Sequence, residues 1–281
     1  MSLPVVTLEH ASGSRVQISP HGAHVLSFVP AGGSEALFVS RGSLWKEGSA
    51  IRGGIPVIFP QFSGFGPLPR HGFARNRFWQ QNSALPSLDA EGRAQAEFEL
   101  VPDDAIRAIW PCPFRAALRV SLDADSLEVG LEIENTGTAA FEFTAALHSY
   151  LRLSDSSRAI LTDLGACVWR DHLGASPEAR LRPEPGTLTP SRMIDRSYFD
   201  VPDSLRLTDV ASGRQFDLSS RGFPDAVVWN PWIEGIDKLS DMVAGEHLEM
   251  LCVEAARLQP LSLEASAKWS GSQRILVTTL A

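Results

Sequence analysis

Cysteine is scarce in this 281-residue chain, and the three present (Cys112, Cys167, Cys252) are too scattered for a disulfide framework or a zinc site. They are expected to be reduced and buried as small apolar side chains. No apolar run approaches the ~20 residues that span a bilayer; Ile55 to Phe59 is typical of the longest. No basic stretch followed by an apolar core opens the chain, so a cytoplasmic protein with no secretory leader and no membrane partner is expected. Basic residues are outnumbered, 25 against 33 acidic ones, and the net charge of −8 argues against non-specific nucleic-acid binding. Helical patterning is missing too: no 12-residue stretch joins a 3.6-residue period to capping residues. Repeats, low-complexity segments and compositional breaks are absent. Residues 1–281 are therefore expected to form a single domain, large enough to bury roughly three quarters of its unfolded surface.

What the chain has is strand signal. Apolar and polar residues alternate in Val5-Thr7-Glu9, Val16-Gln17-Ile18 and Phe98-Glu99-Leu100. From Phe114 the pattern predicts a three-strand meander. Phe114 to Val120 is followed by a turn at Asp123-Ala124-Asp125, and a strictly alternating Leu127 to Ile133 by a turn at Asn135-Thr136-Gly137. A long strand from Phe141 to Leu153 closes it. Ala211 to Arg214 predicts a hairpin loop between Leu205-Arg206-Leu207 and Gln215 to Leu218. Val227 to Trp229, Leu248 to Val253, Leu261 to Leu263 and Ile275 to Val277 read as further strands, and proline-rich Leu181 to Pro190 as a loop. The fold class is all-β, a sandwich or closed barrel.

One segment stands apart. Ala50 to Trp79 holds five glycines and four prolines among aromatics, arginines and a histidine, a composition that specifies a fixed irregular loop. Long ordered loops of this kind are usually functional, although covering one end of the sandwich would be reason enough for this one. Charge is concentrated here as well. Between Arg41 and Gln80 five arginines and one lysine face a single acid, so the window carries +5 and the rest of the chain −13. Such an island suits an anionic ligand, or arginines that pair with acids from elsewhere.

The landmarks in and after this loop resemble the aldose 1-epimerase (mutarotase) superfamily, closest to its hexose-6-phosphate branch, the glucose-6-phosphate 1-epimerases. They are Arg52-Gly53-Gly54-Ile55-Pro56 with Phe59-Pro60, then His71-Gly72-Phe73-Ala74-Arg75 and Leu147-His148-Ser149-Tyr150. Ile194-Asp195-Arg196, Val227 to Trp232, Cys252-Val253-Glu254 and Trp269-Ser270-Gly271 follow in the same order, so the resemblance covers nearly the whole chain. It implies an antiparallel β-supersandwich of the galactose mutarotase type. The implied activity is interconversion of the α and β anomers of a hexose phosphate, without cofactor. By the same resemblance His148 is the general acid and Glu254 the general base, His71 and Asp195 position the substrate, and Arg52 and Arg75 contact phosphate or sugar oxygens. Arg70 stands where the family more often has an uncharged residue and is a further candidate for phosphate. Past Glu254 the family commonly turns at proline and glycine. This chain reads Ala255-Ala256-Arg257-Leu258-Gln259-Pro260, so a shifted turn is expected there.

The chemistry is consistent with those residue types. Exchanging anomers takes a proton from the C1 hydroxyl and gives one to the ring oxygen. One acid and one base, expected on opposite sides of the reacting centre, suffice without metal or nucleotide. His148 lies in a largely apolar strand and Glu254 follows Met250-Leu251-Cys252-Val253, a setting that would desolvate the carboxylate and strengthen it as a base. On their own, a core histidine and an outward-facing glutamate would look the same, and Arg52 and Arg75 could be structural partners of Asp195 or Glu254. Trp229, Trp232 and Phe65 are possible sugar-facing aromatics. His21 and His24 have no acidic or thiol neighbour, and no metal site is expected. A monomer acting on a small hexose phosphate is the expectation. A non-catalytic carbohydrate binder and an epimerase of neutral aldoses are the alternatives, since fold alone does not fix function.

Overall fold

The computed structural model describes residues 3–82, 87–165, 167–173, 182–183 and 186–280. Val6–Glu9, Arg15–Ser19 and His24–Val29 form a three-stranded sheet, and two larger sheets of eight and ten strands make up most of the rest. The eight-stranded sheet runs Val168–Asp171, Ile194–Phe199, Asp225–Asn230, Met250–Leu263, Phe141–Leu147 and Val57–Ile58 across its middle. The ten-stranded sheet is built on Ser204–Asp209, Arg214–Arg221, Lys268–Thr279, Ser126–Asn135, Phe114–Leu122 and Ala94–Leu100. Every strand pair in these sheets is antiparallel, as expected for an antiparallel supersandwich. Among the described residues the only α-helices are Asp104–Ile109 and Trp232–Ile236. They are one or two turns long, too short to leave a periodic signature. No helix is long and apolar enough to cross a membrane.

Alternation builds the core. Ala94–Leu100 buries every second residue, and Leu118, Leu131, Ile133 and Ile275 of the large sheet meet Leu147, Val228, Leu251 and Val253 of the other in one apolar cluster. The central strand Met250–Leu263 is unusual in that both faces of its first half are buried. Leu251, Val253 and Ala255 enter the shared core, while Cys252, Glu254 and Ala256 face the other way. On that second face Cys252 packs with Phe38, Tyr150, Ile236 and Met242, and Ala256 with Ile58 and Phe62 of the Ala50–Trp79 segment. That segment is pinned by Phe59, whose ring lies 5.2–6.3 Å from those of Phe73, Trp110, Phe114 and Phe143. Gly72, at φ 68°, passes so close to the Phe59 carbonyl that a Cβ there would overlap it.

Three expectations are corrected. The meander ends after two strands, because Phe141–Leu147 crosses to the other sheet and pairs with Met250–Leu263. At the crossing the buried Asn135 side chain donates to the carbonyls of Ala139 and Leu263. Alternation marks a strand but not its partner. The long third strand is broken at His148-Ser149 and resumes as Tyr150–Arg152. Beyond Glu254 there is no turn: Leu261 to Leu263 belongs to the same strand as Met250. The residues between Arg257 and Leu261 bulge out opposite Thr144, so Pro260 is absorbed without leaving the sheet. The hairpin at Ala211 to Arg214 forms as expected. The Leu181–Pro190 loop lies partly outside the described residues; within it Arg182–Pro183 and Thr187–Leu188 are short strands.

Phe59→Ala should remove the aromatic pin and leave a cavity, lowering unfolding free energy by about 3–5 kcal/mol. A urea titration followed by tryptophan fluorescence measures this as a fall in midpoint.

Candidate active site

Register assembles the site before any side chain is considered. On the outer face of the eight-stranded sheet Asp195 pairs with Trp229, Trp229 with Cys252, and Val227 with Glu254. Leu147 pairs with Ala255 and Tyr150 with Cys252, so His148, in the break between them, falls opposite Glu254. At the break the His148 amide donates to the Pro56 carbonyl. Behind it, on the core side, Ser149 Oγ donates to Gln273 Oε1, and Gln273 Nε2 donates to the Val253 carbonyl at 3.1 Å. One buried amide from the other sheet thus holds the residue after His148 and the residue before Glu254.

The result is a close pair. His148 Nε2 lies 3.2 Å from Glu254 Oε1, with the side chains 9% and 1% exposed. The two groups are therefore side by side and not on opposite sides of a reacting centre. Burial pushes the Glu254 carboxyl well up, aided by Asp195 and opposed by Arg75 and Arg70. Burial likewise drives His148 well down, with His71, Arg75 and Arg52 adding to it. Both shifts disfavour charge separation within the pair. Glu254 Oε2 is buried with no hydrogen-bond partner.

The pair forms part of the wall of a cavity of about 680 Å³. All seven residues singled out from the sequence line it: Arg52, Arg70, His71, Arg75, His148, Asp195 and Glu254. His71, at φ 64°, accepts a hydrogen bond from the Ser63 amide at Nδ1, which leaves Nε2–H as its donor. Burial, with Arg75, Arg70 and Arg52, lowers its pKa to about 2, so it is neutral. Asp195 is raised by burial, with His172 and Arg70 opposing. Arg52 is tied to Asp241 Oδ2 through Nε at 3.1 Å and Nη2 at 3.0 Å, and through Nη1 to the Tyr150 hydroxyl at 3.0 Å. Neither Asp195 nor Glu254 is its partner. Arg75 is mostly buried, and burial brings its pKa down to about 10. Its Nε has no partner, and Nη2 reaches only the Arg70 carbonyl at 3.3 Å.

The basic island divides accordingly. Arg52, Arg70 and Arg75 face the cavity, whereas Arg41 pairs with Glu249 and Glu246 elsewhere. A second trough, of about 500 Å³ on the large sheet, is lined by Arg93, Arg115 and Arg119, each paired with a carboxylate. It presents no buried acid–base pair.

Of the aromatics, Phe65 and Trp229 line the cavity, while Trp232 packs against His247. Phe65 is 64% exposed and stands 5.4 Å from His172. Sequence reasoning missed His172, Lys238, Tyr150 and Asp241. The first two are isolated residues that only the fold brings to the cavity. Tyr150 was visible as a landmark without a role, and its position two residues after His148 on the same face was the available signal. Asp241 lies in the connection after Trp232–Ile236, which carries no motif. His148, Cys252 and Glu254 offer three ligand atoms within 4.8 Å of one another, the only such group among the described residues, though three arginines beside it disfavour a cation.

A two-sheet antiparallel sandwich with such a cavity on one sheet is the galactose mutarotase-like fold. A galactose mutarotase-like protein from Lactobacillus casei superposes with a TM-score of 0.75 over 98% of this chain and 100% of its own, at 15% identity. The aldose 1-epimerase family model matches residues 4–276, and the chain belongs to that family. It is 34% identical over 275 residues to a Cenchrus ciliaris protein named "Putative glucose-6-phosphate 1-epimerase", covering 96% of this chain and 83% of that one. An Escherichia coli protein of the same name is 31% identical, with 97% and 90% covered. The crystal structure of a "putative mutarotase" from Salmonella typhimurium matches with a TM-score of 0.89 at 27% identity, covering 99% of this chain and 91% of that one.

The depressed pKa of His71 makes stability depend on pH in a definite sense. The native ring stays neutral above about 2, whereas the unfolded ring takes up a proton below 6.5. Its contribution is complete above pH 6.5 and is lost as pH falls from there towards 2, by at most about 1.4 kcal/mol per unit. His71→Gln should flatten the acid side of a stability–pH profile measured by urea unfolding between pH 7 and 4.5.

Proposed function

We propose that this protein is a glucose-6-phosphate 1-epimerase, interconverting the α and β anomers of hexose 6-phosphates. The observation that carries the reading is the buried His148–Glu254 pair in an arginine-lined cavity. The two oxygens that exchange protons, the C1 hydroxyl and the ring oxygen, are bonded to the same carbon, so neighbouring acid and base groups suit them. With the proton that the pair shares carried on His148 Nε2 and Glu254 as the carboxylate, His148 donates that proton to the ring oxygen as the C1–O5 bond breaks. Glu254 removes the hydroxyl proton as C1 becomes an aldehyde. Rotation about C1–C2 presents the other face, and closure returns both protons. The reaction takes one proton from the pair and returns one to it, so no net proton is needed from solvent.

His71, through Nε2–H, and Asp195 orient sugar hydroxyls. Arg75 and Arg70 take the phosphate. The Arg75 guanidinium, with Nε unpartnered and no carboxylate beside it among the described residues, supports this assignment, because a buried cation lacking a carboxylate is completed by an anionic ligand. Arg52 already has one in Asp241. No cofactor enters the chemistry. We take the chain to act as a single-domain monomer in the cytoplasm, in keeping with its three free thiols.

Two-dimensional NMR exchange spectroscopy on equilibrated glucose 6-phosphate tests the reaction. Wild type should give strong exchange cross-peaks between anomers, while His148→Ala and Glu254→Gln should each be slower by about 10²–10⁴-fold. Wild-type cross-peaks no stronger than in buffer would leave a carbohydrate binder on this fold as the remaining reading.

Arg75→Gln should raise KM for glucose 6-phosphate by about 10–100-fold, the worth of a charged hydrogen bond, with glucose little affected. Equal wild-type efficiency on both sugars would instead identify a neutral-aldose epimerase.

A further inference from the structure

A histidine that moves protons is ordinarily oriented by a hydrogen bond to its second ring nitrogen. His148 lacks that device: its Nδ1 is buried and has no hydrogen-bond partner on another described residue. Its ring is held by contact instead. The Tyr150 ring lies parallel to it, with centroids 4.7 Å apart and planes 9° from coincidence. Phe38 stacks on Tyr150 at 6.5 Å and 28°, and the Trp229 edge meets both Tyr150 and His148. The Tyr150 ring is fixed along its own plane by its hydroxyl, 3.0 Å from Arg52 Nη1. Arg52 is in turn fixed by Asp241, which accepts from both Nε and Nη2. Tyr150 is 2% exposed, and burial raises its pKa further above the ordinary value, so it remains a phenol.

We infer that Asp241, Arg52 and Tyr150 form a brace that sets the plane of the His148 imidazole, with Tyr150 as the positioning residue. The inference rests on the reading of His148 as the acid. It gives Arg52 a different task from Arg75: three of its N–H groups are spent on Asp241 and Tyr150, so its main work is on the acid and not on the phosphate. Asp241 is then required for turnover although it does not touch the reacting atoms.

The brace is tested by separating the stack from the hydrogen bond. Tyr150→Phe keeps the ring and removes the hydroxyl, Tyr150→Leu removes the stack, and Asp241→Asn loosens Arg52. Since a misplacement of about 1 Å can cost on the order of 10²-fold, Tyr150→Leu should lower kcat by about 10–100-fold with KM changed less than about 3-fold. Tyr150→Phe should recover most of that loss, with Asp241→Asn in between. The second readout needs no turnover: the Cε1–H resonance of His148, assigned with His148→Ala, should move downfield in Tyr150→Leu as the ring current is lost. It should stay in place in Tyr150→Phe and broaden in Asp241→Asn. A raised KM with unchanged kcat in Tyr150→Leu would make Tyr150 a substrate contact and overturn the brace. A His148 resonance unmoved in a folded Tyr150→Leu protein would overturn it as well. If Tyr150→Leu does not fold, an Asp241→Asn protein with wild-type kcat and a sharp, unshifted His148 signal overturns it instead. An inactive wild type would count against the epimerase reading alone, leaving the resonance to decide the brace.

Discussion

Taking a carboxylate and an imidazole out of water is costly unless the two can share a proton, and sharing requires them to be neighbours. That requirement governs the eight-stranded sheet. Its outer face would ordinarily be solvated, as one face of an antiparallel sheet often is, yet Cys252, Glu254 and Ala256 are covered as fully as the core residues between them. The Ala50–Trp79 segment supplies part of the cover, with Phe38, Tyr150, Ile236 and Met242 supplying the rest over Cys252, and its glycines and prolines suit irregular backbone run close over a sheet. Phe59 anchors the cover to the aromatic cluster beneath, and Gly72 lets it approach.

Placing cations in the same enclosure sharpens the electrostatics. Arg75 and Arg52 oppose protonation of both His71 and His148, and Arg70 adds to this at His71, which stays a neutral donor. The arginines differ in how their own charge is met. Arg52 has an acid, whereas Arg75 is left short of a partner. The same enclosure thus holds one satisfied and one unsatisfied guanidinium without any difference in residue type.

Much of this was legible in the sequence, and the remainder was hidden for physical reasons. Period-two alternation marked most strands, and the seven residues singled out from the sequence all line the cavity. Alternation is local, however, and could not say that Phe141–Leu147 would leave its hairpin neighbour for the other sheet, where it pairs with Met250–Leu263. The departure at Ala255 to Pro260 looked like a displaced turn because composition does not distinguish a turn from a bulge in a continuing strand. Acid and base were expected to flank the sugar, whereas the register sets them directly opposite on neighbouring strands. Tyr150 and Asp241 became visible only in three dimensions, the first through a ring stack and the second through an ion pair spanning 189 positions.

Gln273 ties the register of one sheet to the other. Its amide accepts from Ser149 Oγ and donates to the Val253 carbonyl, yet it belongs to the Lys268–Thr279 strand of the ten-stranded sheet. Slippage of either strand it grips by one residue would turn His148 or Glu254 to the opposite face and orphan a buried amide. A single side chain reaching across the core therefore acts as a latch on pairing fidelity.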